Sequence, residues 1–264
     1  MSSPAPLLDV RCLHKAYGNA AHRLAVIESL SLQIHEREFV CLVGPSGCGK
    51  STFLHMVGGF EAITSGEIRL HDRPIGPPSP DRGMMFQDHA LFPWLTALGN
   101  VCWPLEMKGL PKAERLRLAQ AQLELVGLTR YRDFYPAQLS GGMKQRVALA
   151  RLLALDPEVL LMDEPFGALD SQTRELLQDE LQGIWRRDRK TALFVTHDID
   201  EAIYLGTRVV VFTARPGRIK ADLRVDITDR DANFRKSHQF FELRSQVWDL
   251  LHDEVLRAKA LTDA

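Results

Sequence analysis

The sequence has no long hydrophobic run, no excess of one charge and few cysteines. Its 264 residues include 33 Lys and Arg against 34 Asp and Glu, a formal net charge of −1. Nucleic-acid-binding proteins usually carry a strongly basic surface, so this balance argues against that class. A membrane-spanning helix needs about 18 consecutive apolar residues. The richest apolar run, 209–212, has only the length of a strand.

The cysteines form no CxxC pair and have no histidine at the spacing of a metal site. They are Cys12, Cys41, Cys48 and Cys102. Disulfide bonds and structural zinc are therefore not expected. The N-terminal residues also lack the basic-then-apolar order of a signal peptide. Together these absences predict a protein of a reducing, cytosolic environment.

Apolar patterns predict strands that alternate with helices. Residues 8–12 and 30–34 alternate like strands, and 39–43 is a continuous run typical of a buried strand. Further strand-like runs, separated by helical patterns, lie at 159–162, 192–196 and 208–212. This order is typical of a mostly parallel sheet, and the block 88–155 is interpreted as a helical insertion.

Residues 44–52 read GPSGCGKST and match the P-loop pattern G-x-x-x-x-G-K-[ST]. Glycines allow backbone N–H groups to point at an anion, and the following helix N-terminus adds partial positive charge. Lys50 can reach the β- and γ-phosphates, Ser51 can ligate Mg²⁺ and Thr52 can support an inner phosphate. The predicted nucleotide-binding residues here are Gly44, Pro45, Ser46, Gly47, Cys48, Gly49, Lys50, Ser51 and Thr52.

A second motif, VLLMDEP at 159–165, is a predicted buried strand that ends in two carboxylates. At the carboxyl edge of a sheet, Asp163 is placed to hold Mg²⁺ through its water shell. Glu164 can polarise the attacking water. The alternative is a polar turn after a core strand.

The third motif, LSGGMKQR at 139–146, predicts another helix N-terminus that binds an anion. Ser140 is a good N-cap, and Gly141 and Gly142 leave backbone N–H groups uncovered. One nucleotide does not need two helix N-termini from one chain. We therefore expect this one to bind the γ-phosphate of a nucleotide held by a partner subunit, the alternative being an ordinary capped helix.

These motifs, in this order, resemble the ATP-binding subunit of ABC transporters over about residues 7–220. The matching set also contains Tyr17-Gly18, Gln87, FGALD at 166–170 and Thr196-His197-Asp198. The resemblance implies an α/β fold: a P-loop NTPase core with a mostly parallel sheet, an N-terminal antiparallel β part and an inserted α-helical subdomain. It implies one cassette at 7–240, with the helical subdomain at about 88–155, and a short helical tail at 241–264.

The resemblance also implies roles for single residues. It implies that Tyr17 stacks on adenine, that Gln87 contacts Mg²⁺ and water, and that His197 contacts the γ-phosphate. Asp170 resembles the aspartate that signals across the dimer. The implied catalytic residues are Glu164, His197 and Gln87, and the implied metal ligands are Ser51, Gln87 and Asp163. Taken singly, Tyr17 is also compatible with a surface aromatic, Gln87 with a loop amide and His197 with a capping residue.

Three stretches are similar to the nitrate, sulfonate and taurine group of bacterial importers: 81–87, 90–101 and 214–219. They imply an ATPase that couples ATP and Mg²⁺ binding, in a head-to-tail dimer, to uptake of a small anion such as nitrate, taurine or an alkanesulfonate. One departure is Arg37, where the family often has glycine. The alternatives are the ATPase of an exporter, or a soluble ABC-type ATPase of DNA repair or translation.

The implied partners are a second copy of the chain, two transmembrane permease subunits and, indirectly, a solute-binding protein, with no nucleic acid. The implied location is peripheral, at the cytoplasmic face of the bacterial inner membrane. Two points stay open. Cys48 is either a small side chain that fits the loop or a thiol whose pKa is lowered by Lys50 and the helix terminus. Phe92 and Trp94 belong either to a core or to a groove for a membrane subunit.

Overall fold

A computed structural model describes residues 5–19, 22–167, 169–225 and 233–262. The chain divides into two compact units. The first comprises Met1–Ser79 and Arg189–Ala264, and the second Pro80–Asp188. In the described residues, no helix is both long enough and apolar enough to cross a membrane.

The described strands and helices alternate one by one over residues 141–212. The strands are β1 Leu8–Asn19, β2 His22–Ile34, β3 Phe39–Val43, β4 Ser65–Leu70, β5 Arg73–Pro74, β6 Arg82–Met85, β7 Val159–Asp163, β8 Thr191–Val195, β9 Arg208–Phe212 and β10 Ile219–Arg224. The helices are α1 Lys50–Gly58, α2 Ala97–Met107, α3 Lys112–Leu125, α4 Gly141–Ala154, α5 Ser171–Asp188, α6 Ile199–Leu205 and α7 His238–Thr262. Short 3₁₀ turns lie at Thr129–Tyr131, Pro136–Gln138 and Phe234–Lys236.

The first unit contains an antiparallel sheet with the strand order β2-β1-β4-β5. Val10 of β1 lies opposite Leu32 on one side and Ile68 on the other, and all three side chains are buried. The alternation of apolar and polar residues places one face of this sheet in the core. The expected N-terminal antiparallel part is confirmed.

The same unit holds a second group of strands, in the order β10-β9-β3-β8. β3 runs parallel to both β8 and β9, while β10 pairs antiparallel with β9. Every residue of β3 and β8 is buried, as expected of parallel strands covered on both faces. Phe53 of α1 packs against Phe212 of β9, with ring centroids 6.1 Å apart. The burial of β3 and the packing of α1 position the P-loop between them.

The second unit joins two parallel strands to a group of helices. β6 and β7 pair in register from Arg82 opposite Val159 to Met85 opposite Met162. Helices α2, α3 and α4 pack on one another. Pro111 is the N-cap of α3, and Gly127 has φ 70° just after its C-cap, a conformation that glycine adopts without strain. The predicted α/β fold class is confirmed, whereas the predicted division into a cassette and a tail stays a prediction.

Candidate functional site

The P-loop connects β3 to α1 through residues 44–49. Gly47 and Gly49 have φ 74° and 106°, a left-handed conformation that favours glycine. A Cβ at Gly49 would lie 3.0 Å from Ile27 Cγ1, whereas a Cβ at Gly47 would meet nothing within 4 Å. The outer side of the loop at Gly47 is therefore open, and the first-turn N–H groups of α1 have no intrahelical acceptor. This arrangement suits an anion.

The Lys50 side chain lies inside the loop and is almost fully buried. Its ammonium donates to Gly44 O at 2.8 Å and to Pro45 O at 3.0 Å. Its Nζ also lies 3.7 Å from Cys48 Sγ. Burial raises the pKa of the Cys48 thiol, and the opposing effect of the Lys50 charge is smaller. The hypothesis that this thiol has a lowered pKa is therefore wrong.

A segment after β9 packs against the P-loop. Gly217 donates its N–H to Val26 O at 2.8 Å and accepts from the N–H of Glu28 at 3.1 Å. A Cβ at Gly217 would lie only 2.2 Å from Cys48 O. Sequence reasoning missed this support, although the Pro216-Gly217 pair marks a tight turn.

Tyr17 lies on β1 with an exposed side chain. The Lys15 ammonium stands 4.5 Å from the centre of the Tyr17 ring, a cation–π distance. Lys15 is itself fixed by Glu61 Oε1 at 2.5 Å and Ala62 O at 2.7 Å. The buried lysine, which sequence reasoning did not single out, thus orients the exposed ring.

His197 lies between β8 and α6, with an exposed side chain. The Asp198 carboxylate caps α6 by accepting from the N–H groups of Asp200 and Glu201. His197 lines a cavity of about 560 Å³ together with P-loop residues 44–46. The fold therefore brings these predicted site residues to one cavity.

In the second unit, Asp163 ends β7 and Glu164 follows it. Asp163 is buried, and Glu164 has φ 44°, an uncommon conformation outside glycine. Gln87 follows β6, the parallel neighbour of β7, and its Nε2 donates to Glu164 Oε2 at 3.3 Å. Pairing of the two strands thus brings three predicted site residues to one sheet edge.

The N-terminus of α4 is exposed at Ser140 and Gly141. Ser140 Oγ accepts from the N–H of Met143 at 3.3 Å, as expected of an N-cap. A Cβ at Gly141 would meet nothing within 4 Å, whereas one at Gly142 would lie 2.9 Å from Thr173 Cγ2. In the second unit, therefore, this helix end is open at its first residue.

Asp170 is exposed next to α5. Its Oδ1 accepts from the backbone N–H of Thr173 at 3.0 Å. Hydrogen bonds from Thr173 lower the pKa of the Asp170 carboxyl. The carboxylate is therefore ionised at neutral pH.

An aromatic cluster lies on the second unit. Phe92 is half-buried, with its ring 5.5 Å from Trp94 and 4.8 Å from Trp103. The Arg151 guanidinium stands 5.7 Å from the Phe92 ring and donates to two backbone carbonyls of the same loop. Trp94 is 69% exposed, so it is not a core residue of this unit.

Comparison with known proteins identifies the family. The sequence model described as "ABC transporter" matches residues 27–167. The chain belongs to the ABC transporter family. An uncharacterised ABC transporter ATP-binding protein of Methanocaldococcus jannaschii is 48% identical over 95% of this chain and 93% of its own length.

Two relatives of this ABC subunit are named as import proteins. A taurine import ATP-binding protein of Rhizobium johnstonii is 44% identical over 92% of this chain and 95% of its own. A nitrate import ATP-binding protein of Synechocystis is 40% identical over 92% of this chain and 94% of its own length. A dimeric bacterial ABC transporter cassette superposes with a TM-score of 0.76 at 34% identity, covering 84% of this chain and 100% of that one. The chain is an ATP-binding subunit of the ABC type and an ATPase.

The residues of this ABC subunit fit ATP and Mg²⁺ in chemical type. The open P-loop and its buried ammonium suit phosphate. The predicted metal ligands Ser51, Gln87 and Asp163 offer only oxygen donors to a cation, the type that Mg²⁺ prefers. Among the residues described, no group of three or more His, Cys, Asp and Glu side chains forms a metal cluster. Ser51 belongs to the first unit and the other two ligands to the second, so the Mg²⁺ site stays a prediction.

Proposed function

We propose that this chain is the ATP-hydrolysing subunit of a membrane ABC importer for a small anion such as nitrate, taurine or an alkanesulfonate. The main support is its identity of 40–44% to import proteins over at least nine-tenths of the chain. A bicarbonate transport ATP-binding protein of Synechocystis, 44% identical over 94% of this chain, fits the same class of small anions. The exporter and soluble alternatives receive no comparable support.

The proposed working form is a head-to-tail pair of subunits. The exposed N-terminus of α4 at Ser140 and Gly141 supports this, because an uncovered helix N-terminus binds anions. Each ATP then lies between residues 44–52 of one chain and 140–142 of the other. Two solved relatives are described as dimeric, one of them bound to ADP and Pi.

The proposed chemistry follows from the charges at the site. Lys50 balances the negative charge of the β- and γ-phosphates, and Glu164 accepts a proton from the attacking water. Gln87 holds the Glu164 carboxylate through its amide, and His197 contacts the γ-phosphate. Ser51, Gln87 and Asp163 would hold Mg²⁺, which would supply further neutralisation of phosphate charge.

Transport requires that ATP bind the closed pair far better than the open one, because a ligand with equal affinity shifts no equilibrium. Closure then moves two permease subunits between inward- and outward-facing states. The exposed cluster of Phe92, Trp94 and Trp103 is the proposed contact for a permease helix, since exposed aromatic patches mark interaction sites. The chain would therefore work at the cytoplasmic face of the membrane, as a peripheral subunit.

The dimer is tested with Glu164→Gln. We expect this variant to bind ATP, to lose hydrolysis by about 100-fold or more, and to sediment as a dimer only with ATP and Mg²⁺. Glu175→Gln, which changes an exposed carboxylate on α5, is the control and should keep turnover. Wild-type turnover in Glu164→Gln, or a monomer under all conditions, contradicts the proposal.

The import function is tested by purification from detergent-solubilised membranes. Co-purification of a permease and a solute-binding protein supports an importer, whereas a permease alone indicates an exporter. Trp94→Ser should weaken the association with the permease while leaving ATP hydrolysis of the isolated subunit intact. A soluble complex without any permease contradicts the proposal.

A further inference from the structure

Helix α7 carries an apolar stripe whose side chains are exposed in the part of the chain that the structure describes. Phe241, Trp248 and Val255 recur every seven residues and are 56%, 57% and 39% exposed. Seven residues make almost two helical turns, so these side chains share one face. A neighbouring face, with Phe240 and Val247, is buried. Helix α7 therefore has two apolar faces, and the described residues bury only one of them.

The orientation of the stripe is fixed by a buried carboxylate. Glu254 is 1% exposed and accepts from the backbone N–H of Ala214 at 2.9 Å and from Lys220 Nζ at 3.0 Å. The Arg257 guanidinium donates to the same carboxylate at 3.0 Å. Lys220 Nζ also donates to Leu250 O at 2.8 Å. Because α7 is held at this point, the stripe cannot rotate into the core.

The stripe is continuous with the nucleotide-binding face. Trp248 and Val255 line the 560 Å³ cavity, whose other walls include His197 and residues 44–46. His252 and Lys259 complete the α7 side of the cavity. Any molecule that covers residues 44–46 at this cavity therefore also contacts α7.

The charges around the stripe are balanced. The exposed charged side chains of α7 between 241 and 259 are Glu242, Asp249, Asp253, Arg244, Arg257 and Lys259. A helix that lies on an anionic lipid surface is usually rich in Lys and Arg on its polar face. Mixed charges beside apolar residues at heptad spacing are instead typical of a helix that packs against another protein.

We propose that the stripe Phe241–Trp248–Val255 is a docking surface for a second copy of this chain. The inference rests on the proposed function, in which a second copy supplies residues 140–142 to the nucleotide held by the P-loop. Since the stripe borders that loop, the incoming copy covers it as the pair closes. Helix α7 thus adds contact area to the ATP-bound dimer.

The experiment compares dimerisation of three variants in the Glu164→Gln background with ATP and Mg²⁺. Phe241→Ser/Trp248→Ser and, separately, Val255→Asp should raise the dimer dissociation constant about 10-fold or more in sedimentation. Leu256→Ser is the matched control. Its side chain is 53% exposed on the same helix but does not line the cavity, so its dissociation constant should not change. The ATP affinity of each monomeric variant is measured by nucleotide titration, so that the dimer dissociation constants are compared at equal ATP occupancy.

The outcomes separate the two proposals. If the Glu164→Gln parent does not dimerise with ATP, the proposed function fails. If the parent dimerises and the stripe variants dimerise equally well, only the inference on α7 is overturned. Equal weakening by Leu256→Ser also overturns it, because the effect then is not specific to the stripe. Loss of permease co-purification with unchanged dimerisation assigns the stripe to the permease and likewise overturns it.

Discussion

Gln87 and Glu164 are joined by one side-chain hydrogen bond, in which Gln87 Nε2 donates to Glu164 Oε2 across 3.3 Å. The two residues lie 77 positions apart in sequence and meet because β6 and β7 are parallel neighbours. Glu164 also has a left-handed backbone conformation, with φ 44°. The amide therefore restrains a carboxylate whose backbone is already unusual.

This hydrogen bond predicts a positioning effect of Gln87. Gln87→Ala should lower kcat by about 10-fold to 100-fold, because a misplaced general base loses its alignment. The affinity for ATP should change much less than kcat. Steady-state kinetics and nucleotide titration measure both. Gln172→Ala, on the exposed side of α5, is the control; equal losses in the two variants would refute the positioning role.

The close approach of Gly217 to the P-loop predicts a clash for any larger residue. A Cβ there would lie 2.2 Å from the backbone oxygen of Cys48, so the two backbones must separate. Gly217→Ala should lower the free energy of unfolding by about 1–3 kcal/mol and weaken ATP binding. Chemical denaturation and nucleotide titration test both effects.

Gly183, unlike Gly217, has room for a larger side chain. It lies inside α5, and a Cβ there would meet nothing within 4 Å. Gly183→Ala should raise the free energy of unfolding by about 0.5–1 kcal/mol, since alanine loses less backbone entropy in a helix. ATP affinity should stay unchanged. Equal changes in the free energy of unfolding and in ATP affinity for Gly217→Ala and Gly183→Ala would contradict the predicted clash at Gly217.

Arg37 adopts φ 66° in the turn before β3, a backbone conformation that favours glycine. Its backbone N–H donates to Thr191 Oγ1 at 3.0 Å, and this bond does not need the arginine side chain. Arg37→Gly should raise the free energy of unfolding by about 1 kcal/mol, because glycine adopts this conformation without strain. Glu36→Gly, at a neighbouring position without positive φ, should lower it. Urea denaturation distinguishes the two, and a destabilised Arg37→Gly contradicts the prediction.

The carboxylate of Glu254 predicts a pH dependence of stability. Burial acts to raise its pKa, but hydrogen bonds from Ala214 and Lys220, with the Lys220 and Arg257 charges, lower the pKa overall. A lowered folded-state pKa means that its stabilisation is complete above the unfolded-state pKa. The stabilisation is lost as the pH falls below the unfolded-state pKa and through the lowered folded-state pKa.

Glu254→Gln should therefore unfold more easily at pH 7 and lose less further stability on acidification. Thermal denaturation over this pH range measures both effects. Asp249→Asn changes an exposed carboxylate on the same helix and should behave as the parent. A Glu254→Gln variant that loses stability with pH as steeply as the parent contradicts the anchor role.

The exposure of Cys12 and the burial of Cys48 predict the order in which a thiol reagent labels them. Cys12 is exposed and Cys48 is buried, with a raised pKa, so its nucleophilic thiolate is scarce at neutral pH. Iodoacetamide should label Cys12 much faster than Cys48, and ATP turnover should persist while Cys12 alone is modified. Peptide mass spectrometry gives both rates. Equal rates would show that Cys48 is accessible and ionised.

The parallel strands could be predicted from sequence because both of their faces are buried. Continuous apolar runs marked β3, β7, β8 and β9, and the P-loop motif located the turn between β3 and α1. Strand β10 was not predicted, because Ile219–Arg224 lies at an edge with half-exposed residues. The structure of β10 depends more on its pairing with β9 than on its own pattern of apolar residues.

The contacts between distant residues that support the site could not be predicted from the sequence. The pairing of Lys15 with Glu61 under Tyr17, and the contact of Gly217 with Cys48, join residues far apart in the chain. No local spacing encodes such contacts. Sequence motifs therefore located the residues that carry chemistry, while the neighbours that fix their positions required the fold.

The anchor of α7 has a mechanical consequence for the phosphate loop. Ala214 donates its N–H to Glu254 of α7, and Gly217, three residues later, packs on Cys48 of the P-loop. The short segment 214–217 thus connects the C-terminal helix to the loop. We therefore expect a displacement of α7 to shift the P-loop as well.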